Sequence, residues 1–203
     1  TASLAGSDEV FDAVLRQFDV HRAPNLPELV DAAAAVDAGR YPIGPEVGVV
    51  TTSGGVGVMT ADDASALGLV LPPTPDGAQA DLRAVVATSS PGNPIDTAAA
   101  GMTDMNTLLH FIEVGLRDCG FPSIVLFLAH LGLAPERFEF LLPRLIALRE
   151  QYPDPIVAIV ILAPEEYRDA LMTAGYLVYD DSSQAVRGIA ALVGLGAARD
   201  RSR

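Results

Sequence analysis

The chain has 203 residues, half of them apolar, and carries 26 acidic against 13 basic side chains for a net charge of −13. That length can bury one sizeable core, and the negative balance argues against nucleic acid or an anionic membrane surface as partner, because both need a basic footprint. No apolar run approaches the roughly 18 residues that read as a membrane span, and the one cysteine, Cys119, allows neither an internal disulfide nor a zinc framework.

All the basic residues are arginine. Without lysine there is no Walker-type GK[ST] loop to reach a β- or γ-phosphate, and no amine for Schiff-base chemistry. The sequence does not open on a basic segment followed by an apolar one, so a reducing cytoplasm is the expected setting.

In chain order, "SDEVFDAVLRQF" places Val10, Phe11, Val14, Leu15 and Phe18 on one helical stripe. "NLPELVDAAAAV" opens a second helix, with Asn25 as N-cap and Glu28 at its third position. A short extended piece around Val20–Pro24 joins them, and "YPIGP" follows as a linker. Helix, extended piece and helix without a starting strand read as the tail of another α/β domain. From Glu46 onward strands and helices alternate. The expected strands are Val47–Thr52, Leu69–Leu71, Ile124–Ala129, Ile156–Leu162 and Tyr176–Tyr179; "SIVLFLA" and "PIVAIVILA" are continuously apolar, as strands buried on both faces of a parallel sheet are. The expected helices are Val58–Leu67, Gly77–Val86, Thr103–Arg117, Pro135–Gln151, Glu165–Ala174 and Ser182–Val193. Pro143 should kink or split the fourth, and Asp181 with Gln184 forms a capping box for the last. This alternation predicts a three-layer, doubly wound α/β fold with a flavodoxin-like, mostly parallel five-stranded sheet. The expected partition is 1–40 as tail and linker, 46–195 as the α/β domain and 196–203 as a polar linker.

The glycine-rich "TTSGGVG" follows the first strand, where ligands of open α/β sheets bind. Ser53, Gly54, Gly55, Val56 and Gly57 could present N–H groups and a helix N-terminus to an anion; a tight packing turn explains the glycines equally well. A dinucleotide fingerprint is not met, because "GVGVMT" lacks the third glycine and the second strand ends without an acidic residue. GxSxG is absent, which disfavours a hydrolase elbow, and FMN binding has no specific support. In "SSPGNPIDTAAAG", Asn93 and Asp96 could orient a substrate or hold a neighbouring loop, with an Asx-type turn as the plain alternative. Of the three histidines only His130, after the third strand, has a positional claim to the carboxyl edge. None has metal-ligand spacing. The carboxylate pairs at 62–63, 165–166 and 180–181 each sit near a helix start, where the macrodipole accounts for them.

Taken together, "TASLAGSDEVFDAVLRQFDVHRAPNLPEL", "VGVVTTSGGVGVMTADDASALGLVLP" and "GNPIDTAAAG" resemble the NDP-forming acyl-CoA synthetases, relatives of succinyl-CoA synthetase, over nearly the whole chain. The resemblance implies an acid–thiol ligase using CoA, ATP and Mg, with CoA-binding and ATP-grasp domains or subunits as partners, and it leaves a homo-oligomer open. It implies that Thr1–Ala38 ends one ligase domain, and that the catalytic phosphohistidine stands just before Thr1, leaving no nucleophile in this chain and no tightly bound cofactor. It further implies that the "SGGVG" helix start holds the phosphoryl group. Ala2 departs from the pattern, standing where the family has glycine. A non-catalytic ligand-binding or regulatory module of a fused acyltransferase is the second reading, and an FMN-binding electron carrier the third.

Overall fold

The structure is a computed structural model that describes residues 7–201. The "TASLAG" segment, with Ala2, therefore lies outside the described residues. Among those described, five strands form one all-parallel sheet: β1 Val47–Thr51, β2 Ile95–Asp96, β3 Ser123–Ala129, β4 Ile156–Ile161 and β5 Leu177–Tyr179, in the order β2-β1-β3-β4-β5. That is the flavodoxin-like winding, with its reversal between β1 and β3. All six β4 residues and all five β1 residues are buried, as their unbroken apolar runs require.

The helices are α1 Asp8–Gln17, α2 Leu26–Asp37, α3 Gly54–Ala66, α4 Asp76–Val85, α5 Ala100–Thr103, α6 Met105–Asp118, α7 Pro135–Gln151, α8 Glu165–Thr173 and α9 Ser182–Arg201. Strand alternation divides the core in two. Val50, Ile95, Leu126 and Ile159 face Leu82, Phe111, Ile112, Phe138 and Leu141, from α4, α6 and α7. Val47, Val49, Val125, Ala158 and Val160 face Ala35, Ala64, Ala185, Val186 and Ile189, from α2, α3 and α9. Each fully buried aliphatic side chain contributes about 1.5–3 kcal/mol. No described helix is long and apolar enough to cross a membrane.

The second strand differs from the sequence expectation. Leu69–Leu71 forms no strand; Val70 makes one bridge to Glu46 and the chain then runs into Pro72 and Pro73, which cannot donate to a ladder. The sheet edge is instead Ile95–Asp96, paired with Val50 and Thr51. Pro143 does not split α7; it lies on the exposed side, where water can take the carbonyl its missing N–H leaves free. Asp181 caps α9 by accepting from Ser183 N–H at 2.8 Å, and the helix then runs to Arg201, through residues expected to form a linker.

The two N-terminal helices behave differently. Asn25 caps α2 as expected, accepting from Glu28 N–H at 3.0 Å while its amide donates to the Glu28 carboxylate at 2.9 Å. α2 then packs on α9: Asp31 is buried and accepts from Arg187 Nε and Nη2 at 3.1 and 2.8 Å. Tyr179 hydroxyl, its pKa pushed up by burial, donates to Asp31 carbonyl. α1 buries no residue. An apolar stripe of this kind seeks cover, yet Val10, Phe11, Val14 and Phe18 are exposed, from 43% at Val14 to 70% at Phe18.

Candidate functional site

The carboxyl ends of β1 and β2 meet at the start of α3. Thr51, fully buried, organises the turn: its hydroxyl accepts from Ser53 N–H and donates to Ser53 carbonyl, both at 2.9 Å. Ser53 stands at the N-cap in extended conformation, and its side chain makes no capping bond. Its carbonyl accepts from Gly57 N–H at 2.9 Å, so the helix begins inside the glycine run. Gly54, Gly55 and Val56 are the first three helical residues, whose N–H groups have no acceptor within the helix. Together with the macrodipole they offer about half a positive charge to an anion.

The glycines are not there for left-handed backbone, since none of the three has positive φ. At Gly54 a Cβ would lie 2.8 Å from Asp96 Oδ2. At Gly57 it would lie 3.0 Å from Thr51 Cγ2 and 3.2 Å from Pro94 Cβ. Gly55 has nothing within 4 Å. So Gly57 seats α3 on the sheet, Gly54 makes room for a carboxylate, and Gly55 is free on the open side.

Asp96 ends β2 beside this turn. Its Oδ1 accepts from Ala98 N–H at 3.0 Å, and its backbone bonds to Ser90 in both directions at 2.8 and 3.1 Å. Beyond it Ala98 and Ala99 both hold positive φ, at 49° and 58°, a conformation costing an L-residue about 1–2 kcal/mol. Thr97 hydroxyl is buried without a partner among the described residues.

Asn93 points elsewhere. Its carbonyl oxygen accepts from Val49 N–H at 3.0 Å, and its amide donates to the carbonyls of Val47 at 2.8 Å and Pro72 at 3.0 Å. It stitches the edge of β1 to the 72–75 loop. His130 is exposed at the carboxyl end of β3, across the winding reversal from Ser53. Thr51, which bears on the turn directly, was missed in the sequence, although a threonine ending a strand before Ser-Gly is a recognisable turn signal. Ala98 and Ala99 carried no signal, since alanine does not announce positive φ. Among the described residues no three His, Cys, Asp or Glu side chains converge as a metal site.

No family model matches the chain. It is 30% identical over 194 residues to the alpha subunit of acetate–CoA ligase (ADP-forming) I of Pyrococcus furiosus, aligned over 95% of this chain and 42% of that one. It is 22% identical over 195 residues to the 4-hydroxybutyrate–CoA ligase (ADP-forming) of Nitrosopumilus maritimus, over 95% of this chain and 27% of the ligase. Among solved structures, the dinucleotide-forming acetyl-coenzyme A synthetase 1 of Candidatus Korarchaeum cryptofilum superposes with a TM-score of 0.80 at 19% identity, covering 98% of this chain and 44% of that one. A protein of Pyrococcus horikoshii OT3 gives 0.79 at 21% identity, over 96% and 45%. At those identities the structural likenesses speak for the fold. The korarchaeal synthetase has also been solved with phosphate and ADP. The chain spans less than half the length of these relatives. Homologous along 95% of its length to an ADP-forming acetate–CoA ligase alpha subunit and sharing the synthetase fold, the chain is a domain of the NDP-forming acyl-CoA synthetase family.

Proposed function

We propose that the chain works as one unit of an acid–thiol ligase that turns an acid, CoA and ATP into acyl-CoA, ADP and phosphate, through an acyl phosphate and a phosphohistidine. Its part is to hold the phosphoryl group at the start of α3. The observation that carries this reading is the turn after β1, where three successive N–H groups at Gly54, Gly55 and Val56 are left open at a helix start whose N-cap side chain does not occupy them. Fixed backbone donors suit a phosphoryl group in transfer because they are already oriented when charge develops, and the chain has no lysine to do this work. Thr51 sets the turn, Gly57 seats the helix and Ser53 lines the entry. His130 lies on the opposite lip. The histidine, the CoA site and the ATP site belong to other parts of the ligase, and no step is assigned to a metal held here.

The same reading makes residues 1–40 the end of a preceding domain. The exposed stripe of α1 would then seat on that domain, while α2 anchors the junction to α9. The complete ligase should form labelled phosphoenzyme from ATP and make acyl-CoA, and the chain alone should do neither. ATP-dependent acyl-CoA formation by the chain alone would overturn the assignment.

One observation favours the second reading, a non-catalytic module of a fused acyltransferase. Asp96 places a carboxylate against Gly54, which opposes a second anion at the same helix start. A complete protein that folds, binds ligand and never becomes phosphorylated would decide for that module.

A further inference from the structure

A cavity of about 300 Å³ lies between α1 and the C-terminal part of α9. Asp12, Leu15, Arg16 and Asp19 line it from α1 and the residue pair that ends it, on the side of the helix turned away from Val10, Val14 and Phe18. On a chain of net charge −13, three arginines meet here, Arg16, Arg22 and Arg201, together with His21. The two acids of the cavity are already engaged: Asp12 accepts from Arg22, and Asp19 accepts from Arg201. Arg22 also donates to Asp8, at 2.6 Å. The Arg16 guanidinium makes no hydrogen bond or ion pair among the described residues. The macrodipole of α1 accounts for one cation in its last turn. It does not account for arginines reaching the same hollow from α9 and from the segment after α1.

We infer that this cavity binds a small phosphorylated anion, which clamps α1 to α9. The inference goes beyond the phosphoryl role of α3 and does not rest on it. Each guanidinium has five N–H donors; Arg22 spends two on Asp8 and Asp12, and Arg201 spends one on Asp19. All three arginines therefore keep donors for a ligand. Guanidinium forks match phosphate oxygens, and forks arriving from several sides suit a tetrahedral dianion better than a planar carboxylate, whose two oxygens fill one fork. The volume is that of about ten water molecules, so a diphosphate or a small phosphate ester fits. Leu15, Val20 and Leu195 supply a wall for its apolar part, and at Gly194 a Cβ would meet nothing within 4 Å, which leaves the α9 side open. α1 is the element such a ligand fixes, because it buries no residue of its own and exposed ion pairs hold a helix weakly.

Hydrogen exchange of the chain with and without inorganic pyrophosphate, in buffers brought to equal ionic strength with chloride, tests this. At ten times the pyrophosphate Kd, the amides of residues 8–17 should exchange about tenfold more slowly. The concentration that half-protects them should rise at least about tenfold in Arg16→Gln, the loss expected for one charged hydrogen bond. Arg16 has no partner to lose, so the variant keeps its fold, and its exchange without pyrophosphate should match wild type. Protection confined to the start of α3 would overturn the inference and leave the phosphoryl reading supported. Protection at residues 8–17 without any at the start of α3 would uphold the inference while counting against that reading. Equal half-protection in wild type and Arg16→Gln would overturn the inference. So would unchanged exchange at about 10 mM pyrophosphate, where even a millimolar site is filled.

Discussion

Replacing Gly55 by proline and, separately, by alanine isolates the N–H donor from the shape of the turn. Gly55 is the second helical residue, so its N–H takes part in no intrahelical bond and proline removes a donor without breaking the ladder. A Cβ there meets nothing within 4 Å. The one local cost is the restriction proline puts on Gly54, and a glycine bears that more easily than other residues. A hydrogen bond to a charged acceptor contributes about 1.5–3 kcal/mol, which is about 10- to 150-fold in phosphate affinity. If the donor acts chiefly on the transition state, the loss in rate is about 10²–10³. Alanine keeps the N–H and gains about 1 kcal/mol of helix propensity. The assay is the rate of phosphoenzyme formation from γ-labelled ATP in the complete ligase, with thermal melts of both variants as a folding check. We expect Gly55→Pro to fall by about a hundredfold and Gly55→Ala to stay near wild type. Wild-type rates in both variants would refute the donor role and reduce the loop to a packing turn. Gly57 is unsuitable for this purpose, because a side chain there presses on Thr51 and Pro94 and would report on packing as well.

Asn93→Ala should destabilise the domain by about 2–4 kcal/mol, the sum of three bonds and a buried Val49 N–H left unpaired, measured as a shift in urea midpoint; lost phosphorylation at unchanged stability would make Asn93 a site residue instead. Ala99→Gly should stabilise by about 0.5–1 kcal/mol, because relief of the left-handed cost exceeds the added chain entropy, and a lowered melting temperature would count against that conformation. Asp31→Ala should cost about 2–4 kcal/mol, somewhat less than a fully buried pair because Arg187 keeps some solvent; an unchanged melt would mean α2 is not anchored to α9. Burial and the neighbouring Asp118 carboxylate push the Cys119 thiol up to about 11, so iodoacetamide labelling should stay slow until the pH passes about 10. The shift favours the neutral thiol in the fold, so its stabilisation is complete below about 9 and fades between about 9 and about 11; rapid labelling at pH 8 would contradict this.

Much of the fold was legible because parallel strands buried on both faces write themselves as unbroken apolar runs. β1, β3 and β4 were located within two residues of their ends for that reason. β2 was not, because two residues flanked by Pro94 and Thr97 carry no periodicity, and Asn-Pro before them reads as a turn. The apolar Leu69–Leu71 was the more conspicuous run, and Pro72 and Pro73 decided against it. At the site, the position of the glycine run was legible and close packing was one of its two readings, but the partners it packs against were not. The glycines clear space for Asp96, Thr51 and Pro94, contacts that form only when β2 docks beside β1. The exposure of the α1 stripe was equally hidden, because periodicity reports that a face seeks cover without reporting where the cover is.

The position of the phosphoryl group decides the role of α3 most directly. A structure of the complete ligase, trapped as phosphoenzyme or soaked with inorganic phosphate, measures this. Phosphoryl oxygens are expected within about 2.7–3.2 Å of the N–H groups of Gly54, Gly55 or Val56, with α3 unmoved. A phosphoryl group bound elsewhere, with those three N–H groups facing only water or Asp96, would contradict that role.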